Sequence, residues 1–428
     1  MHSRRILFEN ITSLTALQVL NYATPLLTLP YLVRVLEPSR FGLLSFAQGV
    51  VLYFDIFTDF GFNFTQTRAI AAARGDVGSI SRIFWATLYA KTLLMGISAA
   101  GLALLVIFIP QMRAVPRLYA ANFLYVVGTT FFPLWFFQGL EQMKVAAALL
   151  AGARLLTVPA LFLFVRHTQD YVVAGAIQSS VEVVASVVAW PIILSRARLT
   201  WCPPSLPDVV GTLKAASALF LSSSAMQLSS SSAIVILGFT ADKTQIGYFS
   251  AADKLIKAAS AALNPVAQAL YPHITAAKLR SRESAFELIQ RAFYSVGILM
   301  FCISIVTVIA ARPVCELVLG KSFEHSIRIL QCLAPLPLLS GLTNVLGTQT
   351  MLVFEMDVLF SRLLVVSAAC GIPITFLLSL SFGAVGVAFG SVGTATFLVA
   401  SMWLTLHSRR MLFWQRQRQQ CVAQNDLC

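Results

Sequence analysis

The chain is short of charge. Only 11% of its 428 residues are Asp, Glu, Lys or Arg, against about 25% in an ordinary soluble domain. Acid is the scarcer sign, with 18 Asp and Glu against 31 Lys and Arg, a formal balance of +13. Histidine is rare and scattered. The seven cysteines (Cys202, Cys302, Cys315, Cys332, Cys370, Cys421 and Cys428) show no metal-ligand spacing, and several sit inside apolar runs. They read as small apolar residues rather than a zinc module or a disulfide framework. A Gly-rich phosphate loop and a basic–aromatic RNA motif are both missing, so ATP chemistry and nucleic-acid binding do not explain the positive balance. No metal and no cofactor is expected.

What is present is apolar surface, 57% of the residues. A soluble core stops growing at roughly 250–300 residues. A bilayer removes that limit, at about 20 apolar residues per spanning helix. Such segments lie near 11–36, 41–64, 82–109, 117–140, 144–166 and 171–194. After a polar stretch holding Pro203, Pro204 and Pro207 they resume near 215–239, 246–274, 291–312, 325–350, 358–380 and 383–407. The first run contains Pro25 and Pro30 and is too long for a signal peptide, so it reads as a first spanning helix. The expected fold is all-α and integral to the membrane: about twelve transmembrane helices in two six-helix bundles, with a parallel internal repeat and a central cavity. The expected division is 1–194 for the N-terminal bundle, 195–214 for a cytoplasmic linker, 215–408 for the C-terminal bundle and 409–428 for a cytoplasmic tail.

Lys and Arg favour one side of this arrangement by about two to one, which puts both termini and the linker in the cytoplasm. Among the residues on that side are Arg68, Arg74, Arg82, Lys144, Lys214, Lys278, Arg280, Arg282 and Arg362. The opposite loops are short. The halves also echo each other: Phe41-Gly42-Leu43-Leu44-Ser45-Phe46-Ala47 aligns with Ile246-Gly247-Tyr248-Phe249-Ser250-Ala251-Ala252, an offset of 205 residues. Each half has an even number of helices, so the repeat is parallel, about an axis along the membrane normal, and such proteins place substrate between the halves.

Ionisable groups inside spanning helices cost roughly 2.5–3.5 kcal/mol each on the insertion scale, so they normally face a partner or a wet cavity. Lys91, Arg154, Lys254 and Lys257 are the cations that qualify, and Asp55, Asp59 and Glu182 the anions. Counting about 1.5 Å per residue from the segment ends puts Lys254, Lys257, Arg154, Glu182 and Lys91 near the midplane, and Asp59 nearer the cytoplasm. Lys254 and Lys257 share a helix face, as do Asp55 and Asp59. Simpler roles remain open: snorkelling for a single lysine, a packing ion pair for Arg154 with Glu182, and an interfacial anchor for Arg34, which otherwise stands at an outer entry.

The stretch Leu29-Pro30-Tyr31-Leu32-Val33-Arg34-Val35-Leu36-Glu37-Pro38, with Phe41-Gly42, resembles the helix 1–2 junction of bacterial polysaccharide transporters. Asp59-Phe60-Gly61-Phe62-Asn63 leading to Thr67-Arg68 resembles their second cytoplasmic turn. Ile246 to Leu255, and Pro265 through Tyr271-Pro272, resemble the eighth helix. The chain thus looks like an O-antigen flippase of the polysaccharide transporter family, within the multidrug/oligosaccharidyl-lipid/polysaccharide exporter superfamily. Glu37 stands where the family often has Gly before Pro, at a surface turn. The resemblance implies an undecaprenyl-diphosphate-linked oligosaccharide flipped from the cytoplasmic to the periplasmic leaflet of the bacterial inner membrane, by alternating access of two bundles. Polysaccharide polymerase and chain-length machinery are the partners such a role suggests.

A diphosphate needs fixed cations to cross hydrocarbon. Lys254, Lys257, Arg154 and Lys91 are the candidates, with Arg suited to bidentate contact. Asp55, Asp59 and Glu182 are candidates for ion coupling or gating. A drug or ion antiporter of the same superfamily is the alternative, disfavoured by the intramembrane cations. A polymerase or ligase would want a sizeable outer loop, and a cell-wall lipid precursor flippase would want two further helices.

Overall fold

The computed structural model describes the backbone of residues 2–196, 199–409 and 411. Side chains are described from Thr24 onward, with gaps at 25, 196, 218–219, 221–223, 225–226, 229–230 and 269. The expected tail 409–428 therefore lies, but for Arg409 and Met411, outside the described residues.

Among the described residues there is helix and turn but no strand. Hydrocarbon offers no partner to a backbone amide, so an isolated apolar run must satisfy its own backbone as a helix. The elements are α1 (His2–Asp59), α2 (Phe62–Ala72), α3 (Val77–Phe108), α4 (Pro110–Arg113), α5 (Pro116–Phe131), α6 (Leu134–Gly139), α7 (Met143–Phe164), α8 (Tyr171–Ser179), α9 (Val181–Arg196) and α10 (Leu206–Thr240). They continue as α11 (Lys243–Ser260), α12 (Leu263–Arg280), α13 (Arg282–Ile309), α14 (Ala311–Val314), α15 (His325–Leu333), α16 (Leu336–Thr343), a π-helical stretch Asn344–Leu352, and α17 (Asp357–Ser408).

Eight helical stretches among the described residues are long and apolar enough to cross a membrane. Two of them are too long for one crossing. Asp357–Ser408 has 52 residues, roughly 78 Å of helix against a core of about 30 Å. Gly383, at φ 56°, ψ −133°, breaks it in two. Glu37, at φ 58°, ψ 166°, breaks α1 in the same way. Helix α10 begins at Leu206, inside the stretch 195–214. Asp208 accepts from the Ser205 amide and hydroxyl there, and Ser205 Oγ in turn accepts from the Asp208 amide, which starts the helix within the polar stretch.

The chain forms two compact units. The first runs to Gly238 and also takes in Asp242–Gly247; the second comprises Phe239–Ala241 and the residues from Tyr248 on. In the first unit, the buried rings of Phe84, Trp135, Phe136 and Phe137 knit α3 and α6 to α7 and α9. In the second, Ile274, Ile289, Val296, Met300 and Val345 join α12 and α13 to the π-helical stretch. Both units turn large apolar side chains outward, among them Phe108, Val187, Ile309 and Leu377. Such a surface is unsuited to water and suited to lipid.

Each unit closes one end with the same latch. In the first, Arg74 Nε donates to the Gly139 carbonyl at 2.9 Å and Arg74 Nη1 meets Glu141 Oε1 at 2.9 Å. In the second, Lys278 Nζ donates to the Val353 carbonyl at 2.8 Å and to Glu355 Oε1 at 2.7 Å. Both glutamates have positive φ, 58° and 61°. Both stand two residues after the carbonyl that the cation binds. The same arrangement thus recurs in both units although the local sequences around Glu141 and Glu355 differ. The start of α11 adds a reciprocal contact inside the first unit. A Cβ on Gly42 would overlap the Lys243 carbonyl, and one on Gly247 would overlap the Pro38 carbonyl. Pro38 and Lys243 are related by the same 205-residue offset as the two glycines.

Candidate functional site

The first unit gathers five of the charged residues singled out above. Asp55 and Asp59 lie one turn apart on the second part of α1, Lys91 on α3, Arg154 on α7 and Glu182 on the first turn of α9. Lys91 is buried, 3% exposed, and its Nζ lies 3.4 Å from Asp59 Oδ1 and donates to the Thr129 carbonyl at 3.1 Å. Thr129 Oγ1 donates to Asp55 Oδ1 at 2.5 Å. Asn63 Nδ2 donates to Asp59 Oδ1 at 2.8 Å. Thr129 therefore joins the two carboxylates of α1 through Lys91, one contact at its carbonyl and one at its hydroxyl.

Arg154 and Glu182 form a second pair, Nη2 to Oε1 at 3.8 Å. It is a loose pair. Arg154 Nε and Glu182 Oε2 are buried without a hydrogen-bond partner. The backbone explains why Glu182 stands beside Thr129. A Cβ on Gly128 would come within 2.7 Å of Glu182 Cβ and 2.6 Å of the Val183 nitrogen. Only Gly lets α5 and α9 approach that closely. The network holds three carboxylates against two cations, an uneven balance for a buried setting.

The second unit holds the lysine pair. Lys257 Nζ meets Asp253 Oδ2 at 2.8 Å, one turn back along α11. The Lys257 side chain is 52% exposed. Lys254 is half-buried on the same face. The described part of α11 from Ile246 onward carries these two cations and the single acid Asp253. Arg34 is exposed near the end of the first part of α1.

The structure thus divides the predicted residues. Lys91, Asp59, Asp55, Arg154 and Glu182 belong together in the first unit, and Lys254 and Lys257 stand together in the second. Sequence reasoning passed over Gly128 and Thr129, since neither is ionisable. A glycine followed by threonine inside an apolar run was the available signal.

The fold is that of a transporter superfamily. The chain resembles an inward-facing multidrug resistance MATE family transporter of the MOP superfamily, with a TM-score of 0.68 and 17% identity, over 97% of this chain and 99% of that one. It resembles the lipid II flippase MurJ in an inward closed conformation, with a TM-score of 0.71 and 10% identity, over 93% of this chain and 87% of that one. At such identities the likeness shows the fold alone. Sequence goes further. Residues 7–278 match the family described as "Polysaccharide biosynthesis protein". A protein of Escherichia coli (strain K12) named "Putative O-antigen transporter" is 31% identical over 404 residues, covering 94% of this chain and 97% of its own. A protein of Shigella dysenteriae with the same name is 27% identical over 397 residues, covering 92% and 98%. The chain belongs to the polysaccharide biosynthesis protein family. It is a multi-pass membrane protein of the transporter class, and not an enzyme.

Proposed function

We propose that the chain flips an undecaprenyl-diphosphate-linked oligosaccharide from the cytoplasmic to the periplasmic leaflet of the bacterial inner membrane, for surface polysaccharide assembly. The observation that carries this reading is the lysine pair of α11. Two cations share one face of α11 with one acid, and Lys257 is half exposed. A diphosphate is a compact anion that a pair of neighbouring cations attracts. The names of the two curated relatives and the lipid II flippase among the fold neighbours support the lipid-linked class. Lys91 and Arg154 are already held by Asp59 and Glu182, so we assign them to the coupling network of the first unit. There the odd carboxylate offers a place for a proton or a small cation. Arg34 stands at the outer end of the path. The working cycle is alternating access of two six-helix bundles, twelve passes in all, with both termini and the 195–214 linker in the cytoplasm. Polymerase and chain-length proteins would act on the product.

Replacing both Lys254 and Lys257 with Gln should stop surface polysaccharide assembly at normal membrane abundance. Replacing both with Arg should retain part of it, since charge persists while geometry changes. Normal assembly by the double Gln variant would mean that the phosphates are bound elsewhere. For the coupling network, Glu182→Gln should uncouple transport from an ion gradient; transport that still follows the gradient would leave Glu182 a packing partner of Arg154. Reporter fusions at Ser205 and Lys321 should report cytoplasm and periplasm respectively.

A further inference from the structure

The second unit contains a polar site that the lysine pair does not explain. Asn344–Leu352 is π-helical, and such stretches in otherwise α-helical segments often mark functional positions. Its register has a specific consequence. Residues five apart lie on different sides of an α-helix, but i→i+5 bonding sets them one above the other. Thr350 Oγ1 bonds the Val345 carbonyl at 2.8 Å in that pattern. Gln349 is brought to Asn344 likewise, Nε2 to Oδ1 at 3.4 Å.

Gln349 is fully buried, 0% exposed. Its Nε2 also donates to the Ala267 carbonyl of α12 at 3.0 Å, while its Oε1 has no hydrogen-bond partner. A buried amide oxygen left without a donor loses its hydration with nothing in return. A helix that needed only packing would place Leu or Met here. The carbonyl it grips lies in a weakened part of α12. Pro272 removes the amide that would bond the Gln268 carbonyl, next to Ala267. Gln349 therefore holds this segment and keeps an acceptor in reserve.

That segment displays amides. Asn264 is half-buried and Gln268 exposed, with Tyr271 exposed further on. Their spacing of four and three residues makes one stripe. It follows the lysine pair along the chain, with Asn264 and Gln268 seven and eleven residues beyond Lys257, on the far side of the turn at 261–262. Leu263, Ile274 and Ala277 turn the neighbouring face into the core.

We infer that Asn264, Gln268 and Asn344 form the saccharide subsite, with Gln349 as the residue that positions it. An amide both donates and accepts, which matches a hydroxyl or an acetamide. The aromatic face of Tyr271 matches the apolar face of a sugar ring. Neither carboxylate nor lysine stands among these residues, so the site suits a neutral polyhydroxylated group rather than an ion. The inference rests on the proposed diphosphate site only for the direction in which the sugar extends.

Binding to the purified full-length protein in lipid nanodiscs tests it, with two probes. One is undecaprenyl diphosphate; the other is the same lipid carrying one N-acetylhexosamine. Wild type should hold the glycosylated probe at least tenfold more tightly. The pair Asn264→Leu and Gln268→Leu, and separately Gln349→Met, should erase that preference while leaving the bare lipid within about twofold. A merely structural role for Gln349 would weaken both probes together. Equal affinity of wild type for the two probes, retention of the preference by the variants, or a parallel loss of both probes would each overturn the subsite. The variant with both lysines changed to Gln reads the other proposal separately. It should weaken both probes, and unchanged binding would refute the diphosphate reading while the sugar preference could still stand.

Discussion

Gly128 offers the sharpest test of how the charge network is built. Adding one methyl, Gly128→Ala, would place a Cβ 2.7 Å from Glu182 Cβ and 2.6 Å from the Val183 nitrogen. Carbon contacts settle at about 3.5–4.0 Å, so α5 and α9 must part by on the order of 1 Å. Overpacking of this kind costs about 1–3 kcal/mol. For a unit of this size that lowers the melting temperature by on the order of 5 °C. The displacement falls on the residue before Thr129 and on Glu182 itself, so Thr129–Asp55 and Arg154–Glu182 both change geometry. Transport should drop more than abundance does. Gly152 is the control: it lies on α7, two residues from Arg154, and an added Cβ there meets nothing within 4 Å. Gly152→Ala should be neutral or slightly stabilising. Thermal unfolding in detergent, followed by size-exclusion fluorescence, reads the stability, and polysaccharide assembly in cells reads the function. A Gly128→Ala protein that melts and transports like wild type would show that the close crossing does not position Glu182.

Glu37→Gly should raise stability by about 1–2 kcal/mol, because φ 58°, ψ 166° is a region that side chains rarely adopt; a melt no higher than wild type would refute the strain. Lys91→Met leaves Asp59 without its cation in a site where the Asp59 side chain is 21% exposed, and should cost about 2–3 kcal/mol, somewhat less than a fully buried pair. Adding Asp59→Asn should recover most of that loss, and a double-mutant cycle with no coupling would count against the pair. In the exposed latch, the hydrogen bond and then the charge of Lys278 hold the Glu355 carboxyl below its usual value. Its contribution is thus present above the ordinary glutamate range and lost as pH falls through the lowered folded value. Hydrogen exchange around 353–356 should quicken in acid in wild type but not in Glu355→Gln.

Much of this protein was readable from the chain itself. Twenty-residue apolar runs can only be spanning helices, because hydrocarbon offers the backbone no other partner. The charges within those runs were conspicuous for the same reason, as each is costly alone. The junction sequences around Glu37 and Lys254 pointed to the family, and the family match followed. Sequence also showed that Asp253 sits one turn from Lys257, since pairing at i,i+4 is local geometry.

Only the tertiary structure decided which distant charges meet. Lys91 and Asp59 are 32 residues apart, and Asp55 and Thr129 are 74 apart; no periodicity relates them, because helix packing and not helix period sets their distance. The strained backbone at Glu37 looked like a harmless surface change until its φ was known. The π register of Asn344–Leu352 was equally invisible, since nothing in that composition marks a change from i→i+4 to i→i+5 bonding. The repeated latch needed three dimensions too. Arg74 and Lys278 share only a charge, and what repeats is the carbonyl they bind and the turn that follows it. Local periodicity determined the helices; the close approach of one backbone to another, as Gly128 allows between α5 and α9, determined which distant side chains meet.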